Sequence, residues 1–132
     1  MKKLSIAAIA CLCSTVVHAD PLTDQDKAYI IAATASLVVL AKCPHYKAVT
    51  NSLQVLGDKL GVDSDTIGPA LVNAMQMSAG GDYDRSMLIP EVTRTFNTVA
   101  ESLSNDVTKN TAKFCSQWGS SLIERGLVEK DK

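Results

Sequence analysis

The 132-residue chain is poor in aromatic residues, with one Trp, three Tyr and two Phe, and it has no excess of basic residues. Its 13 Lys and Arg stand against 14 Asp and Glu. Nucleic acids and anionic lipid surfaces are bound through clusters of positive charge, so this balance argues against both as partners. The length excludes a large multidomain enzyme, because about a hundred residues form one ordinary domain. With 46% hydrophobic and 20% charged residues, the composition predicts a globular chain.

Catalytic and metal-binding motifs are also missing. The chain contains no Gly-x-Ser-x-Gly, no His-Glu-x-x-His and no glycine-rich phosphate loop. His45 is the only histidine after residue 19. A lone histidine that follows Cys43 and Pro44 is more typical of a turn than of a general base, which needs an oriented partner and a nucleophile. We therefore expect no enzyme activity, no metal site and no cofactor.

The N-terminal segment has the pattern of a secretory signal. Met1-Lys2-Lys3 is a positive start, residues 4–17 are apolar, and Val17-His18-Ala19 offers small residues for cleavage before Asp20. We expect a cleaved signal over residues 1–19, a single helical domain over residues 20–132, and a periplasmic location, with secretion as the alternative. Two other interpretations stay open: an uncleaved membrane anchor, and lipidation at Cys11 or Cys13. Cleavage would leave 11 basic against 14 acidic residues, a net charge of −3.

The cysteine count predicts one disulfide. Loss of the signal leaves only Cys43 and Cys115, and an exported chain with two cysteines has a single intramolecular pairing. The bridge would close a loop of 72 residues, which contributes about 4 kcal/mol in the chain-entropy description. A redox pair or a metal pair is the alternative, but neither cysteine lies in a Cys-x-x-Cys motif.

Apolar spacing predicts an all-α bundle of four to five helices tied by that disulfide. Thr23 is an N-cap residue for a first helix over 27–41, which is apolar on almost all sides and therefore central. The second helix carries Tyr46 to Leu60 and ends at Gly61. The third begins near residues 63–65, with Pro69 in or near its first turn. The apolar positions of these two helices are Tyr46, Val49, Leu53, Leu56, Leu60, Ile67, Leu71, Ala74 and Met75.

The apolar spacing of the C-terminal part also predicts helices. Pro90 opens a fourth helix, Asn105-Asp106 separates it from a fifth or kinks it, and Gly126 closes the last helix. Residues 129–132 are expected to form a frayed polar tail. The apolar positions of these helices are Val92, Phe96, Val99, Leu103, Val107, Phe114, Cys115, Trp118, Leu122 and Ile123.

Two acidic pairs flank the third helix, namely Asp63 with Asp65 and Asp82 with Asp84. Calcium requires six or more oxygen ligands, and neither pair continues into a loop pattern that supplies them. We interpret the pairs as helix caps and loop residues.

A methionine-rich stretch around the Gly80-Gly81 pair is the predicted partner-binding region. Methionine adapts to irregular apolar partners, and a glycine pair lets the loop change shape. Such a region is suited to an apolar groove that accepts an amphipathic helix, although these side chains could instead fill gaps in the core. The candidate binding residues are Met75, Met77, Tyr83, Met87 and Ile89.

Two segments resemble the helical pilotins of type II secretion and their non-lipidated periplasmic relatives. One is Leu37-Val38-Val39-Leu40-Ala41-Lys42-Cys43 followed by Tyr46, and the other is Ala112-Lys113-Phe114-Cys115 with the helix to Ile123. The resemblance implies a disulfide-tied bundle that grips the C-terminal helix of a secretin subunit and escorts it to the outer membrane. It assigns no individual binding residue to this chain.

The sequence as a whole predicts a small non-catalytic module that binds another envelope or exported protein, without nucleic acid and without stable membrane insertion after signal cleavage. A pilotin-like or envelope assembly factor is the first hypothesis. A protective binder, such as a toxin-immunity protein or an acid-stress periplasmic chaperone, is the alternative. The pattern does not fix the oligomeric state.

Overall fold

The computed structural model describes residues 22–132, so the expected signal over 1–19 and the alternatives at Cys11 and Cys13 lie outside the described residues. Five α-helices and a two-stranded sheet make up this part of the chain. The elements in chain order are α1 (Asp24–Lys42), β1 (Tyr46–Ala48), α2 (Ser52–Leu60), α3 (Ser64–Ser78), a 3₁₀ turn (Arg85–Met87), α4 (Pro90–Lys109), α5 (Thr111–Glu124) and β2 (Val128–Lys130). The predicted disulfide-tied helical bundle is confirmed.

Helix α1 lies at the centre of the bundle and contacts α2, α4, α5 and β1. It begins with a capping box, in which Thr23 Oγ1 accepts from the Asp26 amide at 3.1 Å and the Asp26 carboxylate accepts from the Thr23 amide at 3.0 Å. Two buried hydroxyls interrupt its apolar surface. Thr34 Oγ1 donates to the Ile30 carbonyl and Ser36 Oγ donates to the Ala32 carbonyl, so neither group is buried without a partner.

The predicted disulfide joins the C-terminal end of α1 to α5. Cys43 and Cys115 are bonded, with their Cα atoms 5.7 Å apart. Next to the bridge, the ring of Tyr46 packs against α5 at Gly119, where a Cβ atom would overlap the ring. The Tyr46 hydroxyl donates to the Cys115 carbonyl at 3.2 Å.

The sheet corrects two predictions. Residues 129–132 are not a frayed tail, because Val128–Lys130 pairs antiparallel with Tyr46–Ala48 and the Asp131 amide donates to the His45 carbonyl at 2.8 Å. Tyr46 and Val49 precede α2 instead of lying on it. The physical reason is long-range: Gly126 has a φ of 73° and turns the chain after α5, so that Leu127 and Val128 enter the core beside the residues that follow Cys43.

The last two helices divide later than predicted. Helix α4 continues through Asn105 and Asp106 to Lys109, and Val107 therefore belongs to α4. The break comes at Asn110, whose side-chain oxygen accepts from the Lys113 amide at 3.0 Å and so caps α5. Pro69 is also further inside its helix than expected, because α3 begins at Ser64.

Candidate functional site

An open groove lies between α1, α3 and α4. Its volume is about 410 Å³, and it is lined mainly by apolar side chains. The lining residues are Thr34, Leu37, Val38, Ala41 and Lys42 of α1, Met75, Ser78 and Ala79 at the end of α3, and Phe96, Ala100 and Ser104 of α4. The groove is the candidate binding site.

Helical spacing explains why these side chains share one hollow. Thr34, Val38 and Ala41 follow one another at four and three residues on α1, and Phe96, Ala100 and Ser104 follow at four and four on α4, so each set lies on one side of its helix. Several of the wall residues are alanine or serine. Small side chains fill less of the space between neighbouring helices, which leaves the groove open above the buried ring of Phe96.

The rim of the groove exposes apolar surface. Leu37 is 46% exposed, although α1 is otherwise the most buried helix of the bundle. Val72, at 51% exposure, precedes Met75 and Ala79 by three and seven residues and therefore lies on the same side of α3 as these two lining residues. Lys42 is the one charged residue among those that line the groove.

The opposite side of α1 is closed. Val39 lies two residues before Ala41, about 200° around the helix, so these two side chains point to opposite sides. Cys43 is 1% exposed and Val39 is completely buried. The disulfide, the Tyr46 ring and the sheet therefore fasten α1 on one side, while the groove borders its other side.

The structure divides the predicted partner-binding residues. Met75 lines the groove, whereas Met77, Tyr83, Met87 and Ile89 are not among its lining residues. Met77 and Tyr83 are half-buried, Met87 is 49% exposed, and Ile89 packs against the core where α4 begins. Only Met75 therefore links the predicted set to the groove.

The connection between α3 and α4 is held by a polar clamp. The buried Asn73 side chain accepts from the Asp84 amide at 2.6 Å and donates to the Pro69 carbonyl at 2.8 Å. Asp84 in turn accepts from the amide and the hydroxyl of Ser86 at 2.9 and 2.6 Å. These hydrogen bonds stabilise the carboxylate and lower the pKa of Asp84.

His45, the histidine singled out in the sequence, lies beside several polar side chains. His45 lies in a turn, at a surface pocket of about 480 Å³ that Ser116, Ser120 and Asp131 also line. No side-chain hydrogen bond within residues 22–132 joins the imidazole to these groups.

The acidic pairs occupy cap and loop positions. Asp63 precedes α3 and accepts from the Thr66 hydroxyl at 2.8 Å, and Asp65 lies in the first turn of that helix. Across the described part of the chain, no group of three or more His, Cys, Asp or Glu side chains is arranged to hold a metal ion.

Within the same part, no helix is both long and apolar enough to cross a bilayer.

The sequence did not predict several groove residues as binding residues, namely Leu37, Val38, Ala41, Ala79 and Ala100. The sequence signal for these residues is weak. Two small residues, Ala100 and Ser104, are four positions apart on α4, and Leu37 lies in a helix that is apolar on almost all sides.

Comparison with known proteins adds no assignment, since the chain matches no family model, no curated protein and no solved structure.

Proposed function

We propose that this protein is a non-catalytic protein-binding module that holds an amphipathic helix of a partner protein in the groove between α1, α3 and α4. The observation that carries the proposal is the open apolar groove, with Leu37 and Val72 exposed at its border. Apolar surface of this kind gains free energy when a partner removes it from water. A helix laid into a groove between helices is a recurrent way of doing so.

The resemblance to pilotins supports a role in envelope assembly. The segment Leu37–Cys43, on which the resemblance partly rests, supplies one wall of the groove through Leu37, Val38, Ala41 and Lys42. In this proposal the exported domain works in the periplasm and binds another envelope or exported protein. The disulfide keeps the α1 wall in place without contributing chemistry.

The groove also specifies the chemistry of the partner helix. Its floor favours a narrow stripe of apolar side chains, because the half-buried Met75 and the buried Phe96 offer no hydrogen-bonding group. Ser78 and Ser104 lie at the exposed edge and can bond to polar residues that flank the stripe. Lys42 favours an acidic residue at one end of the stripe.

Photo-crosslinking in the cell of origin tests the proposal. A photoreactive amino acid is placed at Leu37, at the rim of the groove, or at Val55, which is 50% exposed on α2 and is not among the groove-lining residues. The two positions are matched in exposure, so non-specific capture affects both. We expect one discrete crosslinked protein from position 37 and none from position 55, with the crosslink mapped by mass spectrometry to one amphipathic helical segment.

The follow-up uses that segment as a synthetic peptide. Leu37→Asp should abolish its binding to the oxidised protein, and Val55→Asp should leave the affinity unchanged. Equal crosslinking from both positions, or a crosslinked segment without an apolar stripe, would contradict the proposal. Crosslinks spread over many proteins that appear only after acid treatment would favour the protective-chaperone alternative.

A further inference from the structure

A second pocket lies at the corner between α4 and α5, around the only tryptophan of the chain. Its volume is about 300 Å³, and it shares no lining residue with the groove. Small-molecule sites in proteins span about 300 to 1,000 Å³, so this pocket has room for a ligand of about one ring. Its chemistry comes from Trp118 together with Asp106, Lys109, Asn110, Lys113 and Gln117.

The turn between the two helices builds this pocket. Asn110 ends α4 and caps α5, and its side-chain oxygen is used in the cap bond to the Lys113 amide. Trp118 follows Phe114 by one helical turn, and their ring centroids are 6.4 Å apart at an angle of 38°. Because Phe114 is buried in the core, it supports the half-buried indole as a fixed wall of the pocket.

The polar side chains of the pocket do not neutralise one another. Within residues 22–132, neither lysine forms an ion pair with Asp106 or with any other carboxylate. The pocket lining therefore has two lysines and one aspartate, a local charge of +1, whereas residues 20–132 together carry a net charge of −3. Both lysines line the pocket, one at the end of α4 and the other in the first turn of α5, so an anion bound there would interact with both.

We propose that this pocket binds a pyranose sugar that carries a carboxylate or a phosphate. The apolar face of the sugar ring stacks on the indole of Trp118, which presents an amphipathic aromatic surface. Lys109 and Lys113 bind the anionic group through charge-assisted hydrogen bonds. The Gln117 amide and the Asp106 carboxylate are the partners for ring hydroxyls. This assignment does not depend on the groove or on the partner helix.

Tryptophan fluorescence tests the assignment directly, because Trp118 is the only source of that signal. The wild-type protein is titrated with glucuronic acid and with glucose 6-phosphate, and in parallel with glucose and with inorganic phosphate. We expect a saturable change with at least one anionic sugar, and binding at least about tenfold weaker for glucose and for phosphate alone. Saturation-transfer NMR on the same samples should show contact at the sugar ring protons.

Charge variants supply the matched control. Lys113→Gln should weaken binding about fivefold, and the exposed Lys59→Gln on α2 should leave it unchanged. Circular dichroism checks that both variants fold. No saturable change up to about 20 mM sugar, where a Kd of about 1 mM would be nearly saturated, would overturn the assignment. So would phosphate that binds as tightly as the sugar phosphate, or an affinity for the anionic sugar that is unchanged in both Lys109→Gln and Lys113→Gln.

Discussion

The two sides of the last turns of α1 differ in how they are covered. On one side, Cys43 is bonded to Cys115, Tyr46 packs on Gly119, and the sheet closes over both. On the other side, Leu37 remains 46% exposed above an open groove. The closed side of α1 is therefore fastened by the disulfide and the packing of Tyr46, whereas its open side leaves Leu37 partly in water.

This difference separates residues that stabilise the fold from residues that are free to bind. A small domain with few aromatic residues has a small free energy of unfolding, and apolar surface left in water lowers it further. The closed side offsets this loss of stability. Its disulfide constrains the unfolded chain, and the Tyr46 ring fills the space beside the bridge. We therefore expect substitutions on the closed side to change stability, and substitutions at the groove to change binding.

Loss of the disulfide should have the largest effect. The double variant Cys43→Ala and Cys115→Ala loses about 4 kcal/mol of loop-closure stabilisation. For a domain of this size, 1 kcal/mol shifts the melting temperature by about 4 °C, so the shift should exceed about 10 °C. Calorimetry of the variant, and of the wild type with reductant, measures it. An unchanged melting temperature in either sample would show that the bridge does not fasten α1 to α5.

Gly119→Ala should have the next largest effect. The added methyl group overlaps the Tyr46 ring, so the ring must move and its hydroxyl loses the Cys115 carbonyl. Such overpacking costs about 2 to 3 kcal/mol. Ser120→Ala is the control, because Ser120 is the exposed neighbour on the same helix and its loss should change the free energy of unfolding by less than about 0.5 kcal/mol. Equal urea midpoints for the two variants would refute this packing role.

Asn73→Ala tests the clamp that holds the connection after α3. The substitution removes the acceptor of the Asp84 amide and should cost about 1 to 2 kcal/mol. Hydrogen exchange at the Asp84 amide should speed up more than the global loss of stability accounts for. The exposed Asn97→Ala on α4 serves as the control. Exchange at Asp84 that stays as slow as in the wild type would show that the clamp does not hold the loop.

The smallest expected effect concerns acid. The hydrogen bonds from Ser86 lower the pKa of Asp84, so the folded turn favours the carboxylate. Its contribution is present above the pKa of an unfolded aspartate and is lost as the pH falls through the lowered value. The Ser86 amide signal in NMR should titrate at a lower pH than in a peptide of residues 82–88, and Asp84→Asn should abolish that titration. A midpoint equal to that of the peptide would exclude the hydrogen-bonded turn.

Much of the helical framework was predictable, for local reasons. Thr23 carries its capping signal in the sequence, the apolar residues of α4 recur at three and four positions, and the expected loss of the signal would leave two cysteines with a single pairing. The cap and the helical spacing depend on residues close in sequence, and two cysteines can form only one intramolecular disulfide.

The sheet and the groove were not predictable in the same way. Strand β1 forms because Val128–Lys130 returns beside it, and no local pattern around Tyr46 indicates that long-range pairing. Likewise, α1 is apolar on almost all sides, so its sequence does not show which side remains open at Leu37. The methionine pattern led to the loop after α3, and of the predicted residues only Met75 lines the groove.

Mapping the bound peptide on the oxidised protein tests the central claim most directly. Amide NMR spectra are recorded while the crosslinked partner segment, as a synthetic peptide, is added. We predict chemical-shift changes at the groove residues of α1, α3 and α4, including Leu37, Ala79 and Ala100, with Tyr46–Ala48 and Val128–Lys130 unaffected. Chemical-shift changes concentrated on the sheet and the disulfide, with the groove signals unmoved, would contradict the division into a closed side that stabilises the fold and an open side that binds.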